Sequence, residues 1–394
     1  MADLITYSIS DGTVFFKVSE SIHSENAPRM KEMAEAVLHS VPHDKIIWDL
    51  SSVEYISSAG LRVLLNLYAT EKDSGNSSDD FILSGVQPVV YDTLATTGLA
   101  SIFRVSKAIR NISLKDATLI GNGFFSQVYR IDSENIVKVY NKNATDEDIR
   151  RELERAKYAL ILGIPTAISY DIVEADGRKG VLFEMMNCGT LRDALRDNPA
   201  QENHLLNQYT ALLKKLHACE DINRQLPDAR SSLLNSMEKI KVCLTSEEAE
   251  QTRYLLESLP ESDKIIHGDC HIKNIMLHNG ELELIDLDTL SHGSSLIEMG
   301  NLCYTYFDFI LLWPESQENF LGISREQIRR IGEELMKRYY FSLSPEEYEK
   351  NMRFIRFIGW YRMLIYITDF VRDDSEALEK ALQYFRSSLA EAST

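Results

Sequence analysis

Cysteine is scarce in this chain. Its 394 residues include five, at positions 188, 219, 243, 270 and 303, and none in the first 187. An odd, dispersed set excludes a disulfide framework and leads us to expect a reducing compartment, the cytoplasm. Long apolar runs are also missing. Stretches such as Phe309–Trp313 fall far short of the ~18–20 residues of a membrane-spanning helix. The opening Met1-Ala2-Asp3-Leu4 lacks a basic start and an apolar core, so no secretory signal is expected. Positive charge is in short supply: 42 Lys and Arg stand against 60 Asp and Glu, a net −18. Such a surface repels nucleic acid and anionic membrane. There is no internal repeat and no low-complexity tract. With 44% hydrophobic and 26% charged residues, the composition is that of ordinary globular protein. The length predicts two or three domains.

Two blocks differ in character. Up to about residue 105, short strand-like runs alternate with helical patterns. Val14–Val18, Lys45–Leu50 and Phe81–Val86 read as strands; Met30–Leu38, Leu61–Tyr68 and Val90–Thr96 read as helices. That alternation predicts a small α/β domain. The run Asp73–Asp80 reads as a polar surface loop. The second block opens near Leu114 with strands at Ala117–Ile120, Val128–Ile131 and Ile136–Tyr140. A helix over Asp146–Leu162 and two more strands, Ile168–Glu174 and Gly180–Met185, follow, and helices dominate from Thr190 onward. A β-rich front and an α-rich back predict two lobes with a cleft between them. Arg104 to Ser113 reads as a short, mildly polar junction.

In the first block, Asp49-Leu-Ser-Ser-Val-Glu-Tyr-Ile-Ser-Ser-Ala-Gly-Leu-Arg places a buried strand, a loop and a helix opening at Ser57/Ser58. Serines there either cap the helix or accept a phosphate, which the positive end of the helix dipole would favour. This stretch, with Phe81–Val86 and Thr97-Gly98-Leu99, resembles the STAS domain of bacterial anti-sigma-factor antagonists. The resemblance implies that residues 1–108 are an interaction domain with an anti-sigma-factor-like partner. It also implies a phosphoacceptor at Ser58, with Ser57 the second choice.

In the second block, Gly121-Asn-Gly-Phe-Phe-Ser lies between two strand patterns, where glycines let backbone N–H groups approach phosphates. No Gly-Lys-Ser/Thr follows, so it is no Walker loop. Lys138 sits mid-strand among apolar residues and must snorkel, pair or face a ligand. Glu152 and Glu154 on the next helix are both available to it. The strongest pattern is His267-Gly268-Asp269-Cys270-His271-Ile272-Lys273-Asn274, followed by Asp286 in Leu284-Ile285-Asp286-Leu287-Asp288. Apolar runs at 274–277 and 282–285 predict a hairpin that carries Asp286 back beside Asn274. Such oxygen donors suit Mg²⁺ shared with nucleotide phosphates. A zinc site on His267, Cys270 and His271 lacks a second ligand pair.

In this order, the parts resemble the protein-kinase-like fold in its aminoglycoside-phosphotransferase and choline-kinase branch, marked by His-Gly-Asp. The expected architecture is therefore an α/β STAS domain (1–108) followed by a two-lobed α+β kinase-like domain (109–394), with an N-lobe at about 114–187 and a C-lobe at about 188–394. The resemblance implies Asp269 as catalytic base and Asn274 and Asp286 as Mg²⁺ ligands. It implies nucleotide contacts from Gly121, Gly123, Lys138 paired with Glu152 (Glu154 second), and a hinge near Glu184 and Met186. Glu298 stands where many relatives carry an Asp that braces the catalytic loop.

ATP and Mg²⁺ are the implied cofactors, and transfer of the γ-phosphate to a hydroxyl of a small molecule is the implied activity. A protein serine kinase acting on a STAS serine is the second reading, and a nucleotide-sensing pseudokinase scaffold the third. Aromatic residues of the C-terminal block, such as Tyr304, Trp313 and Trp360, with Asp308 nearby, read either as a pocket for a cationic acceptor or as core.

Overall fold

The computed structural model describes residues 4–75, 80–123, 125–371 and 373–393. Met1 to Asp3, residues 76–79 of the expected polar loop, and Phe124 of the glycine-rich loop lie outside them. The chain divides into two compact units, Met1–Asn111 and Ile112–Thr394.

The first unit is one sheet with helices. Its strands are β1 (Ile5–Ser10), β2 (Thr13–Val18), β3 (Lys45–Asp49), β4 (Phe81–Val86) and β5 (Arg104–Lys107), in that spatial order. β1 and β2 are antiparallel; the remaining pairs are parallel, joined through helices α1 (Ala27–Ser40), α2 (Ser58–Asp73) and α3 (Pro88–Thr96). Along β2, Val14, Phe16 and Val18 are buried while Phe15 and Lys17 face outward. That period of two sets the strand face. The core gathers around Trp48, which stacks on Phe16 at 4.4 Å between ring centroids. Residues 104–107, expected to belong to a connecting junction, instead form the edge strand β5. Their polarity is that of a strand paired on one side only.

The second unit begins with a six-stranded sheet in the order β6-β10-β11-β9-β8-β7. These strands are β6 (Arg110–Ile112), β7 (Thr118–Asn122), β8 (Ser126–Arg130), β9 (Asn135–Tyr140), β10 (Ser169–Ala175) and β11 (Arg178–Glu184). Helix α4 (Asp146–Ile161) lies between β9 and β10 in sequence and starts in a capping box made by Thr145 and Asp148.

The helical remainder holds α5 (Leu191–Asp197), α6 (Glu202–Leu216), α7 (Ala229–Ile240), α8 (Ser246–Ser258), α9 (Ser295–Cys303), α10 (Phe309–Leu312), α11 (Pro314–Leu321), α12 (Arg325–Tyr339), α13 (Pro345–Phe370) and α14 (Ser375–Ala392). Short strands β12 (Gly189–Thr190), β13 (Ile265–Ile266), β14 (Ile275–His278), β15 (Glu281–Leu284) and β16 (Ser291–His292) are threaded among them. α13 has 26 residues. Its Met352 and Ile355 join one apolar cluster, and Phe357 to Ile367 join another, so its second half is buried on nearly every side while its first turns are exposed.

Most of the aromatic residues read as a pocket or as core belong to the core. Tyr306 and Tyr361 are fully buried, Tyr340 and Trp360 nearly so, and each sits in an apolar cluster.

Candidate active site

The segment His267 to Asn274 leaves β13 and enters β14. Gly268 adopts φ +86°, and a Cβ there would lie 2.9 Å from the carbonyl oxygen of Thr289. Only glycine fits that combination of dihedral and close approach. Glu298, the first-turn acid of α9, is fully buried. Its Oε2 accepts the backbone N–H groups of His267 (2.5 Å) and Gly268 (3.0 Å). Burial pushes the Glu298 carboxyl up, but His217, His267 and the Gly268 N–H more than offset this and hold it below the usual range. Glu298 thus holds the loop in place, at the position where an acid was expected to brace it.

His267 Nε2 lies 3.0 Å from the carbonyl oxygen of Ile285, and the Asp269 N–H donates to Nδ1 at 3.2 Å, which assigns the proton to Nε2. Thr289 Oγ1 donates to the His267 carbonyl, and Asn301 Nδ2 to that of Gly268. The Tyr209 hydroxyl donates to the carbonyl of Cys270. These bonds leave the Asp269 carboxylate half-exposed at the tip of a fixed loop.

Asn274 Nδ2 donates to both the carbonyl oxygen (3.0 Å) and Oδ2 (3.1 Å) of Asp269. The expected hairpin is present: β14 and β15 pair antiparallel, with Ile275 opposite Leu284, and the Ile285 N–H donates to the Asn274 carbonyl. Asp286 follows at once, in the left-handed region at φ +62°. Its Oδ1 lies 2.5 Å from Lys138 Nζ, which also reaches Glu152 Oε1 at 2.7 Å. Glu152 is buried on α4, whereas Glu154 is exposed.

The charges are tightly coupled. Burial disfavours the Lys138 ammonium, yet Asp286 and Glu152 raise its pKa overall. Burial likewise pushes Asp286 up, and Lys138 more than reverses it. Asp288, desolvated and beside Asp286, is pushed up to about 7.

Among the other expected residues, Gly121 lies in β7 opposite Val128, and the Gly123 N–H donates to the Ser126 carbonyl, so both sit at a hairpin end. Glu184 ends β11 and its carboxylate accepts the Ile168 N–H; Met186 is buried just beyond. In the first unit, Ser57 is the buried N-cap of α2, its Oγ accepting the Gly60 N–H at 3.2 Å. Ser58 is exposed at the first position of that helix. His267, Cys270 and His271 are all buried within the loop.

Several nearby residues escaped the sequence reading. Arg155 donates to the carbonyl of Asp288; it lies three residues after Glu152, on the same helical face, and that spacing could have signalled it. Asn301 and Arg362 lie far from the motifs in sequence and gave no such sign.

A test of the donor set favours a hard divalent cation. The Asn274 amide nitrogen is committed to Asp269, which leaves its carbonyl oxygen for a ligand. The crowded carboxylates Asp286 and Asp288 present charge that a cation would relieve.

Comparison with known proteins gives two family matches and a set of similar structures. Residues 116–329 match the model of a phosphotransferase enzyme family, and residues 5–112 match that of the STAS domain. An ADP-bound aminoglycoside phosphotransferase is similar at 18% identity over 70% of this chain and 94% of its own, with a TM-score of 0.48. A gentamicin complex of another aminoglycoside phosphotransferase is similar at 18% identity, 71% and 93% coverage and a TM-score of 0.48. A choline/ethanolamine kinase family protein from Mesorhizobium loti is similar at 14% identity, 71% and 88% coverage and a TM-score of 0.45.

Proposed function

Since the chain belongs to the phosphotransferase enzyme family and carries a STAS domain ahead of the matched region, we propose that it moves the γ-phosphate of ATP to the hydroxyl of a small molecule. The observation that carries this reading is Lys138 Nζ held between Glu152 and Asp286, with Asn274 joining Asp269 on the adjoining loop. Phosphoryl transfer requires little covalent chemistry from a protein; positioning and charge neutralisation suffice.

In this reading Lys138 holds the nucleotide phosphates, and the hairpin with Gly121 and Gly123 covers them. The region of Glu184 and Met186 receives the adenine. Asn274 and Asp286 would hold Mg²⁺, which when bound neutralises charge on the β- and γ-phosphates. Asn274 occupies one Asp269 oxygen, leaving the other to take the proton of the acceptor hydroxyl. The acceptor oxygen bonds to the γ-phosphorus, the bond to the β–γ bridging oxygen breaks, and ADP leaves. The STAS domain provides regulation or binds an anti-sigma-factor-like partner. Within it, Ser58 is the phosphoacceptor for a separate partner kinase, since Ser57 is buried and occupied as a cap.

The test is Asp269→Asn. It is expected to lower kcat by at least about 10²-fold, the scale of general-base catalysis, while Mg·ATP binding by calorimetry stays within about threefold. Unchanged turnover would refute the assignment.

A further inference from the structure

A cavity of 260 Å³ adjoins the catalytic loop, with Gly268 and Asn301 in its wall. Its charged lining is Arg155, Arg362 and Asp288. Arg155 is engaged with Asp288, whose carbonyl it binds and whose carboxylate acts on it. Arg362, half-buried on α13, has no carboxylate within 4.0 Å among the described residues. Its charge is felt by the Tyr304 hydroxyl, which also feels that of Asp269. A half-buried cation without a counter-ion is costly unless a ligand supplies one.

The wall also holds Asn301, whose Nδ2 donates to the Gly268 carbonyl and so ties the wall to the loop. The cavity therefore offers a site for an anion, beside a loop whose aspartate would take a proton.

We propose that this cavity binds the acceptor, and that the acceptor is a small hydroxyl-bearing anion, with its carboxylate or phosphate on Arg362. Its hydroxyl is the group whose proton Asp269, on the adjoining loop, would take. This deepens the phosphotransferase reading and rests on it. It also sets the acceptor apart from a cationic one, which Arg362 would repel.

The experiment is thermal unfolding of the full chain saturated with Mg·ADP, so that the phosphate-binding end of the nucleotide site is filled. The probes are glycerol 3-phosphate, D-glycerate and choline, each titrated separately. The first two separate a phosphate from a carboxylate ligand. At least one anion is expected to raise Tm, and choline is expected to leave it unchanged. Arg362→Met should weaken the anion by about tenfold, the scale of a lost charged hydrogen bond. Arg362→Lys should recover part of that loss. The Mg·ADP shift itself should persist in both variants, which reports that they are folded. A rise with choline, no rise with either anion, or anion affinity unchanged in both variants would overturn the proposal. Absence of any Mg·ADP shift in the unaltered protein would instead overturn the phosphotransferase reading on which it depends.

Discussion

Glu298 shows how one side chain fixes a reactive loop. Its Oε2 takes two consecutive backbone N–H groups, and the residue is fully buried. Removing it strands both donors and leaves His217 without its acidic neighbour, which lies 3.9 Å away. Glu298→Ala should therefore lower stability by about 2–5 kcal/mol in urea unfolding at pH 7. Glu298→Gln, which keeps an acceptor oxygen and the volume, should lose distinctly less. A smaller loss for alanine than for glutamine would show that the loop is held by other means. The candidate loop and the acid that holds it stood out in the sequence because glycine, aspartate and asparagine recur there at fixed short spacing. Asn301 and Arg362 were not, because they lie 33 and 94 residues beyond Gly268 and only tertiary folding brings them to its loop.

Between α9 and α10 the helix widens into a π-turn over Tyr304–Asp308. Such turns commonly mark functional sites, and this one packs Tyr304 against Phe309 and buries Asp308. Asp308 is buried, its Oδ2 has no hydrogen-bond partner among the described residues, and a Cβ on Gly359 would lie 2.2 Å from that oxygen. Burial pushes its carboxyl well above the usual range, against smaller opposing effects of Cys303 and Arg356. A raised carboxyl contributes stability that is present below its unfolded value near 4 and is lost as pH rises. Asp308→Asn should therefore raise Tm at pH 8, by roughly 2–4 °C for each kcal/mol relieved, and the gain should shrink towards pH 4. A pH-independent difference in calorimetry would refute this. Strands with apolar alternation were readable in advance. β1 and β5 were not, since a strand that shows only one buried residue, or none, carries no such pattern. The π-turn was equally hidden, because it reflects how α13 packs against it rather than any local preference.

For the molecule as a whole, a phosphate has two destinations to be told apart, Ser58 of the first unit and the hydroxyl of a small molecule. Ser58 is exposed at a helix start, where a phosphate would meet free N–H groups and the positive end of the dipole. The proposed activity, however, directs the phosphate to a small molecule. Incubating the full chain with Mg·ATP is then expected to leave its intact mass unchanged. A gain of one phosphate that maps to Ser58 and is absent in Asp269→Asn would instead favour a serine kinase acting on STAS serines. The order of a STAS-like block before a kinase-like block was legible because each has its own motif and its own strand–helix rhythm. The acceptor was not, since it depends on side chains drawn from α4, α9 and α13. Of these, α13 runs through two apolar clusters, and every residue from Phe357 to Ile365 except Arg362 is buried. Arg362 stands on that axle. A guanidinium anchored at its base by so immobile a helix has less freedom to surrender when an anion arrives, so more of the attraction is retained as affinity. Selectivity for charge would then be a property of the core, set when the chain folds and not when the ligand binds.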